Sequence, residues 1–221
     1  GLAAAAASWV LVSEKERRPV SHISFGERLR LLPGTYRKFA AAVGLFGLGS
    51  FSHTLLILLA TQKLTPSLGA GRAASTAVAL YLVHNVFNAL CALAGGRLAD
   101  RFRKKWLLAL GYLFGAGVAL AIIVLPASIW AFAIVFILAG ASAALEETVE
   151  DAFCAEIVDE PHHGMGFGVL ATVNGIGDFV SSIVVGVLWS ALGTSIAFGY
   201  SLLLCVAGAA VVSTIRAPSH A

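Results

Sequence analysis

Long apolar stretches recur along the chain, separated by short polar breaks. A helix needs about 20 apolar residues, at about 1.5 Å rise each, to cross a bilayer. Six stretches fit: Phe39 to Thr61, Ala73 to Gly96, Trp106 to Pro126, Ile129 to Leu145, Gly166 to Trp189 and Ser195 to Ile215. Residues 1–12 form an apolar stub too short to span alone. The breaks carry loop chemistry: Pro66 with Gly69 and Gly71, then Pro126, Pro161 with Gly164, and Gly193. The fourth stretch does not stop cleanly. After Leu145 come Glu146, Glu147, Glu150 and Asp151 with no Gly or Pro among them, so the helix is expected to run on into water. Glu146 and Glu150 share one face of it, and Glu147 and Asp151 another.

Composition sharpens this pattern into an all-α membrane protein of six transmembrane helices. The chain is 58% hydrophobic and 12% charged, with mean hydropathy +0.87; a soluble domain carries about 25% charged residues. In lipid, spans must satisfy their own backbone hydrogen bonds, which leaves helices or closed barrels. The alternating ten-residue segments of a barrel are absent. The three cysteines, Cys91, Cys154 and Cys205, have neither zinc nor disulfide spacing. No metal, cofactor or nucleic-acid partner is expected. The chain opens inside what reads as the tail of a helix, without an initiator Met, and is expected to be a fragment of a longer protein.

Charge sets the expected orientation. If six spans alternate, thirteen Lys and Arg fall on one side, in residues 13–38, in the loop from Arg97 to Lys105, and at Arg216. Only Lys63 and Arg72 fall on the other. Basic loops stay in the cytoplasm, so both termini are expected there.

A weak internal echo appears at a shift of 90 residues, which aligns His84 with Asn174, Asn88 with Asp178 and Gly96 with Gly186. It suggests two three-helix inverted repeats, a known transporter architecture.

The run Gly96-Arg97-Leu98-Ala99-Asp100-Arg101, followed by Phe102-Arg103-Lys104-Lys105, resembles the loop motif G-x-L-a-D-r-x-G-r-k of the major facilitator superfamily. That motif follows the second helix of each six-helix half. The segment from Glu146 to Gly168 similarly resembles the family's link between helices ten and eleven. The resemblance implies half of a twelve-helix fold: residues 1–12 end a preceding helix, 13–38 form a basic cytoplasmic linker, 39–216 form the C-terminal six-helix bundle, and 217–221 are a short tail. It also implies a missing N-terminal half as partner. The chain departs from the motif at Arg103, where the family carries glycine. Glycine permits a tight turn at positive φ that arginine resists, so this loop is expected to turn differently.

Asp178 is the leading candidate for chemistry. It lies near the middle of the fifth span, where a carboxylate costs at least about 2.5–3.5 kcal/mol and so should face protein or a water-filled cavity. It either titrates during transport, binds a cationic substrate group, or makes a structural hydrogen bond. Asn174 precedes it by one turn. His53, near the middle of the first span, is of a residue type that can change charge near physiological pH, and reads either as a functional contact or as a satisfied buried histidine. His84 and Asn88, one turn apart on the second span, read as interhelical glue or substrate contacts. Gly96, Asp100, Arg101, Arg103 and Lys104 read as a cytoplasmic gating loop. Glu146, Glu147, Glu150 and Asp151 are expected to form a charge network with it, Glu146 alternatively reaching the cavity. The resemblance implies that Asp100 sits against the start of the fifth span, near Gly164 to Gly168.

The reading that unites these features is a secondary active transporter moving a small solute or ion across a lipid bilayer by alternating access. Protons are the candidate driving ion, since no nucleotide-binding motif is present. A channel or a non-transporting scaffold is the alternative. An intramembrane enzyme lacks a nucleophile motif.

Overall fold

A computed structural model describes residues 32–215. The expected stub at 1–12, most of the linker, Arg216 and the tail at 217–221 lie outside these. The described residues form helices with no strand: α1 (Gly34–Gly49), α2 (His53–Leu68), α3 (Ala70–Ala99), α4 (Lys104–Val124), α5 (Ile129–Ile157), a short 3-10 turn (Glu160–His162), α6 (His163–Leu192) and α7 (Thr194–Ser213). Taking α1 and α2 as one path, six segments are long and apolar enough to cross a membrane.

The first span differs from the expected continuous helix in two ways. It begins earlier, at Gly34, where the Pro33 carbonyl accepts from Tyr36 N–H (2.9 Å) and Arg37 N–H (3.3 Å) to open the first turn. Tyr36 and Phe39 are then buried, so the last five residues of the expected linker are helix. It also breaks at Ser50, Phe51 and Ser52. There the sequence places Gly47 and Gly49, poor helix formers, before two serines that compete for backbone hydrogen bonds. The Ser52 hydroxyl restarts the helix by accepting from Thr54 N–H (3.2 Å).

The expected break at Pro66 is a second correction. Pro66 lies inside α2, and the chain turns on Gly69 alone, at φ +77°. Gly193, at φ +92°, performs the same one-residue turn between α6 and α7. These are the only positive-φ residues among those described. The motif loop accordingly turns without one: Asp100 is αR and Arg103 is extended (φ −64°, ψ 115°). As expected, α5 runs unbroken past its acidic stretch.

The repeats are in a different register from the sequence echo. A shift of 93, not 90, maps the thirty residues of α3 onto the thirty of α6 and Gly47 onto Gly140. Packing confirms the register. A Cβ on Gly177 would lie 3.0 Å from the Gly47 backbone, so α1 and α6 cross with nothing between them. Residue 177 maps back onto His84, and a Cβ on Gly140 would collide with the His84 carbonyl oxygen and lie 3.1 Å from Asn88 N. The two crossings are the same crossing in inverted copies. Small residues at these positions permit close helix approach where lipid supplies no hydrophobic drive between helices.

The bundle follows from these contacts. Helix α1 packs on α6 and α7, α2 packs on α3, and α5 packs on α3 and α4. Helices α3 and α6 bury least. Their free faces carry Leu82, Leu90, Leu93, Ile176, Phe179 and Val187, all exposed.

Candidate functional site

A cleft of about 800 Å³ opens between the two halves of the first span, α5 and α6. Its floor is the helix break. Ser50 N–H closes the last turn of α1 onto Phe46 O (2.7 Å), while among the described residues no backbone N–H reaches the carbonyls of Gly47, Leu48 or Gly49. Helical termini leave such groups free, and here Gly49, Ser50, Phe51 and Ser52 all line the cleft.

The 93-residue register organises the walls. Phe46, Gly49, Ser50 and His53 on one side map onto Ala139, Ser142, Ala143 and Glu146 on the other, and all eight line the cleft. His53 and Glu146 are therefore counterparts. The break has no counterpart, because Ser50-Phe51-Ser52 is replaced in α5 by Ala143-Ala144-Leu145, good helix formers.

Asp178 lines the cleft half-way along α6, the sixteenth of its thirty residues, and is exposed to it. Among the described residues its carboxylate makes no hydrogen bond or ion pair, so the structural hydrogen bond to His84 or Asn88 weighed from sequence is not made. Asn174 also lines the cleft, and its Nδ2 donates to Glu150 Oε2 (2.8 Å). Its Oδ1 is buried without a hydrogen-bond partner. Glu150 itself is buried, at 1% exposure, and its Oε1 accepts from Tyr112 Oη (2.5 Å).

His53 lines the cleft, with its ring 4.3 Å from that of His84. His84 is buried behind it, stacked on Tyr81 at 5.4 Å, and its Nδ1 has no hydrogen-bond partner. His84 and Asn88 lie outside the cleft walls. Asn88 instead borders the α3–α5 crossing at Gly140.

The expected network between the motif loop and the α5 carboxylates is replaced by a different arrangement. Glu146 and Glu147 line the cleft, Glu150 binds Tyr112 and Asn174, and Asp151 is exposed. None forms an ion pair among the described residues. The single pair there is Lys104 Nζ to Glu156 Oε2 (2.6 Å), which ties the loop to the last turn of α5. The physical reason is reach: Glu156 lies at the end of α5 beside the loop, whereas Glu146 and Glu150 lie one to two turns or more deeper. Lys105 Nζ donates to the carbonyls of Ser213 (3.2 Å) and Ile215 (2.9 Å), closing the free end of α7. Asp100, Arg101 and Arg103 are exposed, and Asp100 makes no side-chain bond to residues 164–168. The break at 50–52, Glu156 and Tyr112 were not read from sequence. The Gly44, Gly47, Gly49, Ser50 cluster was the available signal for the first.

Comparisons with known proteins agree with this architecture. The family profile of the Major Facilitator Superfamily matches residues 25–221. An uncharacterized MFS-type transporter of Methanocaldococcus jannaschii is 26% identical over 195 residues, covering 88% of this chain and 48% of that protein. The chain thus spans about half the length of the curated relative it matches. A crystal structure of an auto-inhibited POT family peptide transporter superposes with TM-score 0.67 at 19% identity, covering 84% of this chain and 38% of that one. With a profile matched over nearly its whole length, on a six-span bundle of inverted repeats, this chain belongs to the major facilitator superfamily.

Proposed function

We propose that this chain is one six-helix half of a secondary active transporter, which moves a small solute across the bilayer by alternating access. The observation that carries the reading is the mid-membrane cleft with a broken helix at its floor. Irregular backbone is tolerated at that depth only where it lines a cavity or is buried in protein, and discontinuous helices build substrate and ion sites in transporters. The relative from M. jannaschii is named as a transporter of the same family, which supports the reading. The exposed faces of α3 and α6, and a cleft open on one side, suit a second six-helix half as the facing wall. The basic end of the bundle is assigned to the cytoplasm on the positive-inside rule.

Protons are the coupling ion in this proposal. Asp178, Glu146 and Glu150, with His53, are groups able to bind and release them within the span. The test is solute flux by the complete transporter in proteoliposomes under an imposed pH gradient. Flux that saturates with solute, follows the gradient and is lost in Asp178→Asn at normal membrane levels is the expected result. Flux that is unsaturable marks a channel instead, and flux unaltered in Asp178→Asn removes that residue from the pathway.

A further inference from the structure

The walls of the cleft point to the charge of its cargo. Glu146, Glu147 and Asp178 line it, and among the described residues no Lys or Arg does. None of the three carboxylates is ion-paired among the described residues. A second feature of the same sign is independent of them. The C-terminal end of α1 reaches the floor at Gly49, whose carbonyl accepts no backbone N–H among the described residues and lies at the negative end of the helix dipole. Half-helix C-termini of this kind coordinate cations in transporters. The remaining wall is aromatic: Phe46, Phe51 and Phe179 line the same space, and Phe179 is 69% exposed. Aromatic faces attract cations and pack against apolar bodies.

We infer that the cleft receives an organic cation with a bulky apolar body, its charge set against Glu146 and Asp178 and its body against the phenylalanines. An inorganic cation alone would leave most of about 800 Å³ unfilled. An anionic solute would meet three carboxyl groups with no basic side chain among the described lining residues. The inference rests on the proposed transport function and adds the substrate class.

The test uses the complete transporter in nanodiscs and radiolabelled tetraphenylphosphonium as probe. Triphenylphosphine oxide serves as neutral competitor and tetraphenylborate as anionic competitor. Saturable tetraphenylphosphonium binding is expected, with both competitors at least about tenfold weaker, and with Glu146→Gln and Asp178→Asn each weakening the cation by about tenfold or more. Glu146→Asp, which keeps the charge, should retain more binding than Glu146→Gln, and this separates charge from folding. Competitors as effective as the cation, or variants that bind it unchanged, overturn the assignment. Absence of saturable binding also overturns it. In that case, labelling of Ser50→Cys and Ser182→Cys from either side of the membrane decides the parent reading. Accessibility that still alternates leaves transport standing without the cation, whereas accessibility fixed to one side removes both.

Discussion

Replacing Gly140 with alanine probes the inverted-repeat packing directly. The added Cβ would collide with the His84 carbonyl oxygen and lie 3.1 Å from Asn88 N and 3.2 Å from His84 C. All three are backbone atoms of α3, so no side-chain rotation relieves the clash. The helices α3 and α5 must separate along their contact, and overpacking of this kind costs about 1–3 kcal/mol. Against that, alanine is the better helix former by about 1 kcal/mol. The same gain without the cost is available at Gly175 and Gly186, where a Cβ meets nothing within 4 Å. The expected order of thermal stability is therefore Gly175→Ala and Gly186→Ala at or above the parent, and Gly140→Ala below it. At roughly 2–4 °C per kcal/mol for a chain of this size, the gap should be several degrees. Fluorescence-detected size exclusion of heated, detergent-solubilised protein measures it. Gly177→Ala should fall between these, because its Cβ would lie 3.0 Å from the Gly47 backbone, a tight contact but looser than that at Gly140. A Gly140→Ala variant as stable as Gly175→Ala would mean that α3 and α5 do not cross there, and the 93-residue register would fall with it.

Tyr112→Phe removes the donor to Glu150 Oε1 and leaves a buried carboxyl oxygen unsatisfied; a loss of about 1–3 kcal/mol is expected, read as a fall in melting temperature, and an unchanged value would show the bond to be absent. Tyr36→Phe removes a buried bond to the Gly166 carbonyl (2.6 Å) and should cost about 1 kcal/mol in the same assay. For Lys104 and Glu156, ion-pair partners whose side chains are 24% and 23% exposed, a double-mutant cycle with Lys104→Met and Glu156→Gln should give a coupling of about 1 kcal/mol or less that shrinks with salt; zero coupling at low salt would show that the loop is not tied to α5.

Most of the membrane topology was legible because periodicity and length decide it. Six apolar stretches of spanning length leave little choice in lipid, and Asp178 in mid-span had to face protein or water. Two features were not legible. The helix break carries a local signal, in Gly47, Gly49 and the serines, but helix propensity is weak and an apolar stretch this long reads as continuous. The partner of the motif loop is hidden for a related reason. Sequence order shows that Glu146, Glu150 and Glu156 share one helix, but only the tilt and depth of α5 decide that Glu156 meets Lys104. The repeat register was missed by three residues because the match at 90 rests on polar side chains. The match at 93 pairs Gly47 with Gly140 and His84 with Gly177, positions whose importance appears only when the helices cross.

The two walls of the cleft descend from equivalent helices, yet only one is interrupted. A rod with every rung of its ladder intact carries a tilt to both ends, so a displacement that begins at Glu146 also reaches Glu156 and the corner held by Lys104. The split wall lacks that ladder at Ser50 to Ser52, where three residues are not helical. Under the proposed function, only the uninterrupted jaw of the cleft connects what it holds to the corner at Lys104.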